Sequence, residues 1–426
     1  MNRHQIKDAA ALASGQIAAA LGALVGVRLL TEILAPSEFG MVTLALGVSA
    51  LCIGVFVNPV AQGIIHFFAA SSVSGRLDNL RRAVLQSARR SAPWSVAVLG
   101  LAVLLLPNQA GQSRWPLFLA LVILTVCDGL RSYGLAWLNA SQRHRRYAAW
   151  LAIDAWARPL LSVALLLLTG ADGRVVVGAH AMVSIALLWF AYGLVREFPA
   201  GWRDARREDS SEMLWRYALP LVPMGLIGWA NSLGDRYLIG ALLTVAEAGL
   251  YAAAYGLASR PFMMAFSTVE LTMRPLYQNA VSSSDIPATR RILGRWLILV
   301  VGIGALGTLL FSLLAGFAAQ IFLGDSYRPI ATTLMPWIAA GYALQGIAQV
   351  FERVCYAYGD TRSVLAILTV TAVAAAAAIS IGILQLGLLG AAVAVPVYFL
   401  VELLVAVCFA RRWLVQAGVA LGRESA

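Results

Sequence analysis

Arg260 lies in the middle of a long apolar stretch, directly before Pro261, with no acid three or four residues away on either side. A guanidinium in such a place needs water or an anion, and its planar fork grips two adjacent anionic charges better than a point cation does. The competing reading is an interhelical partner that a sequence does not reveal. Arg28 and Arg236 stand near the ends of two other apolar stretches. Glu32, one turn from Arg28, is placed to neutralise it, whereas Asp235 is adjacent to Arg236 and does not face it. Both arginines are candidates for receiving an anion, and snorkelling to an interface is the plain alternative. Asn231 is suited to sugar hydroxyls or a cation, and equally to a bond with a neighbouring helix.

A second group of charges has a different character. Asp128 and Arg131 belong to one apolar stretch, Asp154 and Arg158 to the next. Counted from the loop the two stretches share, Asp128 is level with Arg158 and Arg131 with Asp154. At a rise of about 1.5 Å per residue, that predicts a reciprocal four-charge cluster joining two helices. A structural role for it stands beside a gating or ion-coupling role. Glu402 has no basic neighbour at helical spacing. A buried carboxylate of that kind can carry a coupled proton or can hydrogen-bond another helix. Glu270 with Arg274 reads as an ordinary surface pair, and Glu352-Arg353 is ambiguous.

Several chemistries are absent from the pattern. There is no GxxxxGK[ST] loop, no nucleophile elbow and no paired-carboxylate loop, so neither ATP-driven work nor hydrolysis is expected of this chain. The four cysteines (Cys52, Cys127, Cys355 and Cys408) all fall in apolar segments without CxxC spacing. They read as buried thiols rather than metal ligands or disulfides, and neither metal nor cofactor is expected.

The elements that must hold these residues follow from composition. Sixty per cent of the 426 residues are apolar and only 12 % are charged, where a soluble chain is about a quarter charged. The apolar runs are long enough to cross a hydrocarbon core of roughly 30 Å. Spans are predicted near 9–33, 40–66, 84–106, 115–138, 148–169, 174–194, 214–242, 248–273, 292–322, 330–352, 363–385 and 388–410. The net charge of +11 is not a nucleic-acid signal, because its arginines and lysines alternate between loops. Arg3, Lys7, the Arg76–Arg90 cluster, the Arg143–Arg146 cluster, the Arg196–Arg216 cluster, Arg290, Arg291, Arg295, Arg353, Arg362, Arg411 and Arg412 share one side. Only Arg114, Arg174 and Arg328 fall opposite. The basic side is cytoplasmic, which puts both termini there. The expected organisation is a six-helix lobe over 1–195, a cytoplasmic linker over 196–213, a second lobe over 214–411 and a cytoplasmic tail over 412–426.

A repeat supports two related lobes. Arg28, followed by Glu38-Phe-Gly40, recurs as Arg236 followed by Glu247-Ala-Gly249. Thr244-x-x-Glu247 has capping-box spacing. Gly170-Ala-Asp-Gly173 and Gly387-Leu-Leu-Gly390 punctuate corresponding places. Equivalent helices have the same orientation, so the lobes form a parallel repeat about an axis along the membrane normal.

At Arg28-Leu-Leu-Thr-Glu-Ile-Leu-Ala-Pro-Ser-Glu-Phe-Gly40, Asp235-Arg-Tyr-Leu-Ile-Gly240, Glu247-Ala-Gly-Leu-Tyr-Ala-Ala-Ala-Tyr255 and Gly387-Leu-Leu-Gly-Ala-Ala392, the chain resembles the polysaccharide-export (Wzx-type) flippases of the MOP superfamily. The likeness runs over essentially the whole sequence. It implies an all-α, MATE-like membrane protein with a central cavity that opens alternately to either side. It also implies undecaprenyl-pyrophosphate-linked oligosaccharide as substrate, a polysaccharide polymerase of the same pathway as partner, an inner-membrane location, and transport driven by H+, Na+ or the membrane potential. A MATE-like drug/cation antiporter, a lipid II flippase and, in a different class, a membrane-embedded polymerase or glycosyltransferase are the alternatives. The lipid II flippases carry extra C-terminal helices, and the enzymes need larger outer loops.

Overall fold

The computed structural model describes residues 3–105, 113–196 and 209–416, and no β-strand occurs among them. The chain begins with α1 (Arg3–Ile33), α2 (Pro36–Cys52) and α3 (Asn58–Val73), followed by α4 (Leu77–Leu105), α5 (Trp115–Ala140), α6 (His144–Thr169) and α7 (Gly173–Arg196). After the inter-span segment come α8 (Asp209–Ala218), α9 (Val222–Leu242), α10 (Val245–Ser282), α11 (Ile286–Phe322), α12 (Arg328–Ala357), α13 (Thr361–Leu386) and α14 (Leu388–Gln416). A π-helical turn at Ile53–Val57 joins α2 to α3, and a 3-10 turn at Leu219–Leu221 joins α8 to α9. With each of those pairs taken as one bent rod, the described helices are the twelve spans expected. Seven are long and apolar enough to cross a membrane on composition alone. Among the others, α10 carries Arg260, Glu270 and Arg274. The chain is a multi-pass membrane protein.

The turns obey local chemistry. Thr244 Oγ1 accepts from the Glu247 backbone N–H at 3.1 Å, the N-cap bond expected from the spacing, and its hydroxyl donates to the Glu247 carboxylate at 2.8 Å. Glu38 performs an additional task, its Oε2 accepting the first N–H of α7, that of Gly173, at 2.9 Å. A carboxylate there complements the positive end of the helix dipole. Gly387 closes the α13–α14 turn at φ +59°, where a side chain would be strained.

Prolines inside spans do not end their helices: α10 runs continuously through both Pro261 and Pro275. In α2–α3 the disturbance precedes the proline: the ladder is already in π form over Ile53–Val57 when it reaches Asn58-Pro59. Three of the cysteines are buried as expected, and Cys408 is exposed.

Packing divides the chain into two compact units, Met1–Trp229 and Ala230–Ala426. The division was expected at the 196–213 linker, of which 197–208 lies outside the described residues, as does 417–426 of the tail. It falls later because α8 and the first turns of α9 pack on the first unit. Leu214 and Ala218 complete a core with Val57, Val60, Ile64, Ala83, Val84 and Tyr133, and Trp229 Nε1 donates to the Gly47 carbonyl at 2.8 Å. In the same unit α1 lies along α6. A Cβ on Gly22 would meet the Ala155 carbonyl at 2.9 Å, so only glycine permits that approach. In the second unit α12 is the central helix, packed by α10, α11 and α14.

Candidate functional site

In the first unit, α5, α6 and α7 converge on charge. Arg158 Nη2 lies 2.6 Å from Asp128 Oδ1 and its Nε 2.7 Å from Asp154 Oδ1. Arg131 completes the set, its Nε 3.3 Å from Asp128 and its Nη1 3.3 Å from Asp154. The four side chains that depth-counting placed at two matched levels meet as a closed quartet. Sequence reasoning missed a fifth member. Ser184 on α7 donates to Asp128 Oδ1 at 2.8 Å and accepts from Arg158 Nη2 at 3.1 Å, tying a third helix to the pair. Nothing in the sequence marks this serine except its place in a span. The quartet is electrically neutral, with every carboxylate bridged to two arginines, which is the condition under which buried ions are tolerated.

The second unit holds the residues of the other group. Asp235 and Arg236 lie on α9, and Arg260 lies on α10. Arg236 rests its guanidinium over the Tyr255 ring, 5.2 Å from the centroid, and its Nε is buried without a hydrogen-bond partner. Arg260 lies within electrostatic reach of Arg236, so two arginines far apart in sequence act on each other inside one helical unit. Around them stand tyrosines. The Tyr342 hydroxyl donates to that of Tyr255 at 2.9 Å, the Tyr251 and Tyr255 rings are 5.4 Å apart, and Tyr251 is an electrostatic neighbour of Asp235. Asp235, which the sequence left as a mere neighbour of Arg236, is buried at 6 % exposure. Two cations and an aromatic, hydroxyl-bearing wall can hold a multiply charged anion together with polar groups attached to it.

The remaining candidates are placed as follows. Arg28 pairs with Glu32 one turn on, in the first unit. Asn231 donates its amide N–H to the Leu368 carbonyl on α13 at 3.1 Å, while its Oδ1 is buried with no partner. Glu402 is 4 % exposed and lies against Thr371 of α13. Glu270 is more than half of a surface pair. Arg274 lies 3.2 Å away, but Arg353 of α12 binds the same carboxylate at 2.6 Å from Nε and 3.4 Å from Nη2. That cross-helix bond leaves Glu352, next to Arg353, buried at 5 % exposure.

No family model matches the chain, and no curated protein matches it. Solved structures do. The chain is similar to a multidrug-resistance MATE family transporter of the MOP superfamily in an inward-facing conformation (TM-score 0.74, 14 % identity, 94 % of this chain and 96 % of that one). It is similar to the lipid II flippase MurJ in an inward closed conformation (TM-score 0.74, 11 % identity, 96 % and 90 %). It is also similar to the Vibrio cholerae MATE transporter VcmN in its bent form (TM-score 0.57, 15 % identity, 97 % and 99 %). At these identities what is shared is the fold, which is MATE- and MurJ-like.

Proposed function

We propose that this protein carries a lipid-linked oligosaccharide, joined to undecaprenyl through pyrophosphate, from the inner to the outer leaflet of the cytoplasmic membrane. The observation that carries the reading is the Arg236–Arg260 pair in the second unit. Two guanidinium groups within electrostatic reach of each other, with the single carboxylate of Asp235 beside Arg236, give this place an excess of positive charge that an anion with two adjacent charges matches. Pyrophosphate has that form. The tyrosine hydroxyls beside the pair and the buried amide oxygen of Asn231 suit sugar hydroxyls. The prenyl chain needs no binding site, because it stays in lipid.

The fold shared with transporters named as multidrug-resistance proteins and as a lipid II flippase supports movement of a substrate rather than its chemical conversion. Transport would proceed by alternating access, driven by a cation gradient or the membrane potential, which supplies about 2.3 kcal/mol per charge per 100 mV. The Asp128–Arg131–Asp154–Arg158 quartet then serves as a rigid joint within the first unit, since its charges already satisfy one another. The translocated oligosaccharide would then pass to a polymerase on the far side of the membrane, which joins such units into the polymer.

A second reading has its own observation. Asp235, Glu352 and Glu402 are buried carboxylates of the second unit, which suits export of organic cations. One experiment separates the two: lipid extraction from a deletion strain carrying empty vector, wild type, Arg236→Ala or Arg260→Ala. Accumulation of lipid-linked oligosaccharide with empty vector and with both variants is the expected result. No accumulation with empty vector removes the flippase reading, and full complementation by both normally inserted variants removes the arginine site.

A further inference from the structure

The first unit carries a polar face that neither the charged quartet nor the arginine site uses. It lies on α3, within the apolar span Pro36–Val73. Asn58, Gln62 and His66 follow one another at four-residue steps and are all exposed, whereas Val60, Ala61 and Ile64 on the other side of the helix are buried in the core. Four residues advance a helix by about 6 Å, so the three polar groups form a line about 12 Å long. Ala69 and Ala70 continue the same face without bulk. Among the described residues, no hydrogen bond is made by the Asn58, Gln62 or His66 side chain. Amides and an imidazole on the outside of a span are costly against hydrocarbon, and they stand where a helix borders water.

The far end of the line is an aromatic platform. Helix α8 is seated directly on α3, so closely that a Cβ on Gly63 would collide with Leu214. That seating carries Tyr217, three residues on, to His66. The two rings stack with centroids 4.6 Å apart and planes 14° apart. Phe67 meets both edge-on, at 4.7 Å and 5.4 Å. Helix α3 contains no Asp, Glu, Lys or Arg, and Arg216 beside Tyr217 is already paired with Glu212. The line therefore suits neither a phosphate nor an organic cation. It offers neutral donors and acceptors followed by a flat ring stack, and a sugar presents hydroxyls on its rim and C–H groups on its faces. The π-turn at Ile53–Val57 opens the helix ladder immediately before Asn58, a distortion frequent at functional sites.

We propose that Asn58, Gln62 and His66 of α3, with Tyr217 of α8, form a saccharide track, the amides bonding sugar hydroxyls and the His66–Tyr217 stack holding a ring by its C–H face. The charge pattern of the loops puts the Val73 end of α3 on the cytoplasmic side, so the stack receives a sugar first and the amides take it deeper into the span. That the saccharide is the head of a lipid-linked substrate rests on the reading above, whereas the affinity of the track for sugar rings does not. These residues then set which sugars are accepted, a choice that contacts to pyrophosphate cannot make.

Saturation-transfer difference NMR of the purified full-length protein with the methyl glycosides of glucose, galactose and N-acetylglucosamine tests the site directly. The expected result is signal from the ring C–H protons of at least one glycoside. Its affinity should fall about tenfold in Tyr217→Leu and in His66→Leu, each of which removes the stack. Gln62→Leu should also weaken it, and His66→Phe, which keeps a ring against Tyr217, should retain it. Tyr217→Leu and Gln62→Leu lie on different helices, so failure of one variant to fold does not remove the test. No signal from any of the three glycosides overturns the proposal, and so does a signal unchanged in the leucine variants. A signal displaced by inorganic pyrophosphate assigns the binding to the arginines and also overturns it. In the deletion strain, the Gln62→Leu, Tyr217→Leu double variant should accumulate lipid-linked oligosaccharide, and its full complementation overturns the track. No accumulation with empty vector removes the flippase reading alone, and the glycoside signal still decides the site.

Discussion

Replacing Arg158 with methionine keeps most of its volume and removes the charge that closes the quartet in the first unit. Arg158 makes ion pairs at 2.6 Å to Asp128 and 2.7 Å to Asp154, with side chains no more than 15 % exposed. With charge centres roughly 4 Å apart and an effective dielectric of about 20, each pair contributes about 4 kcal/mol of attraction. Part of that is offset because the guanidinium no longer has to be dehydrated. Removing one partner of a buried pair therefore costs about 3–5 kcal/mol, most of it from the acid left behind. Here Asp128 and Asp154 would compete for Arg131, which lies 3.3 Å from each. Adding Asp128→Asn restores neutrality and should recover at least about 1 kcal/mol. Reversible unfolding in mixed detergent micelles, followed by tryptophan fluorescence, measures both variants. A single variant within about 1 kcal/mol of wild type would refute the structural reasoning, as would a double variant no more stable than the single. A gating quartet would instead give a well-folded Arg158→Met protein that fails to complement the deletion strain.

Three further outcomes follow from the geometry. Gly22→Val puts a Cβ 2.9 Å from the Ala155 carbonyl; forcing α1 off α6 should cost about 1–3 kcal/mol, and an unchanged melting temperature would show that the helices do not pack there. Thr244→Ala removes the side-chain acceptor of the Glu247 N–H, a loss of about 1 kcal/mol measurable by the same unfolding assay. Asp360 lies in the α12–α13 turn, outside the spans. Burial raises its pKa, but hydrogen bonds from Ser363, Trp413 and Arg412 outweigh it and hold the carboxyl below the usual carboxylate range. A depressed folded-state value means the stabilisation is present above the ordinary value near 4 and is lost as pH falls below it. Asp360→Asn should therefore flatten the acid limb of a stability–pH curve, and an unaltered limb would remove Asp360 from that account.

Depth was readable from the sequence, and azimuth was not. Apolar run lengths and the alternation of loop arginines gave all twelve spans, because both report position along the membrane normal. The same counting brought Asp128, Arg131, Asp154 and Arg158 to matched levels, and two adjacent helices sharing a short loop had little choice but to meet. Ser184 was invisible because α7 reaches that level from another direction. Glu352-Arg353 was ambiguous in the sequence, and helical rotation, which turns adjacent residues about 100° apart, delivers Arg353 to Glu270. The tyrosines around Arg236 come from α10 and α12, and no periodicity in either reveals the common centre. The lobe boundary moved for a similar reason: polarity marks a linker, but the burial of Leu214 decides which core it serves.

The continuity of α10 through Pro261 and Pro275 has a mechanical consequence. Neither proline has an N–H, so the Leu257 and Leu271 carbonyls each lose the bond that the next turn would supply. A rod of 38 residues is thereby softened at two places while keeping its length. Arg260 lies within the first soft turn. Glu270 lies just ahead of the second, so bending there can alter the angle at which it meets Arg353 without unwinding any of the helix. Flexure of that kind costs little, because the missing bonds have been missing since the chain folded.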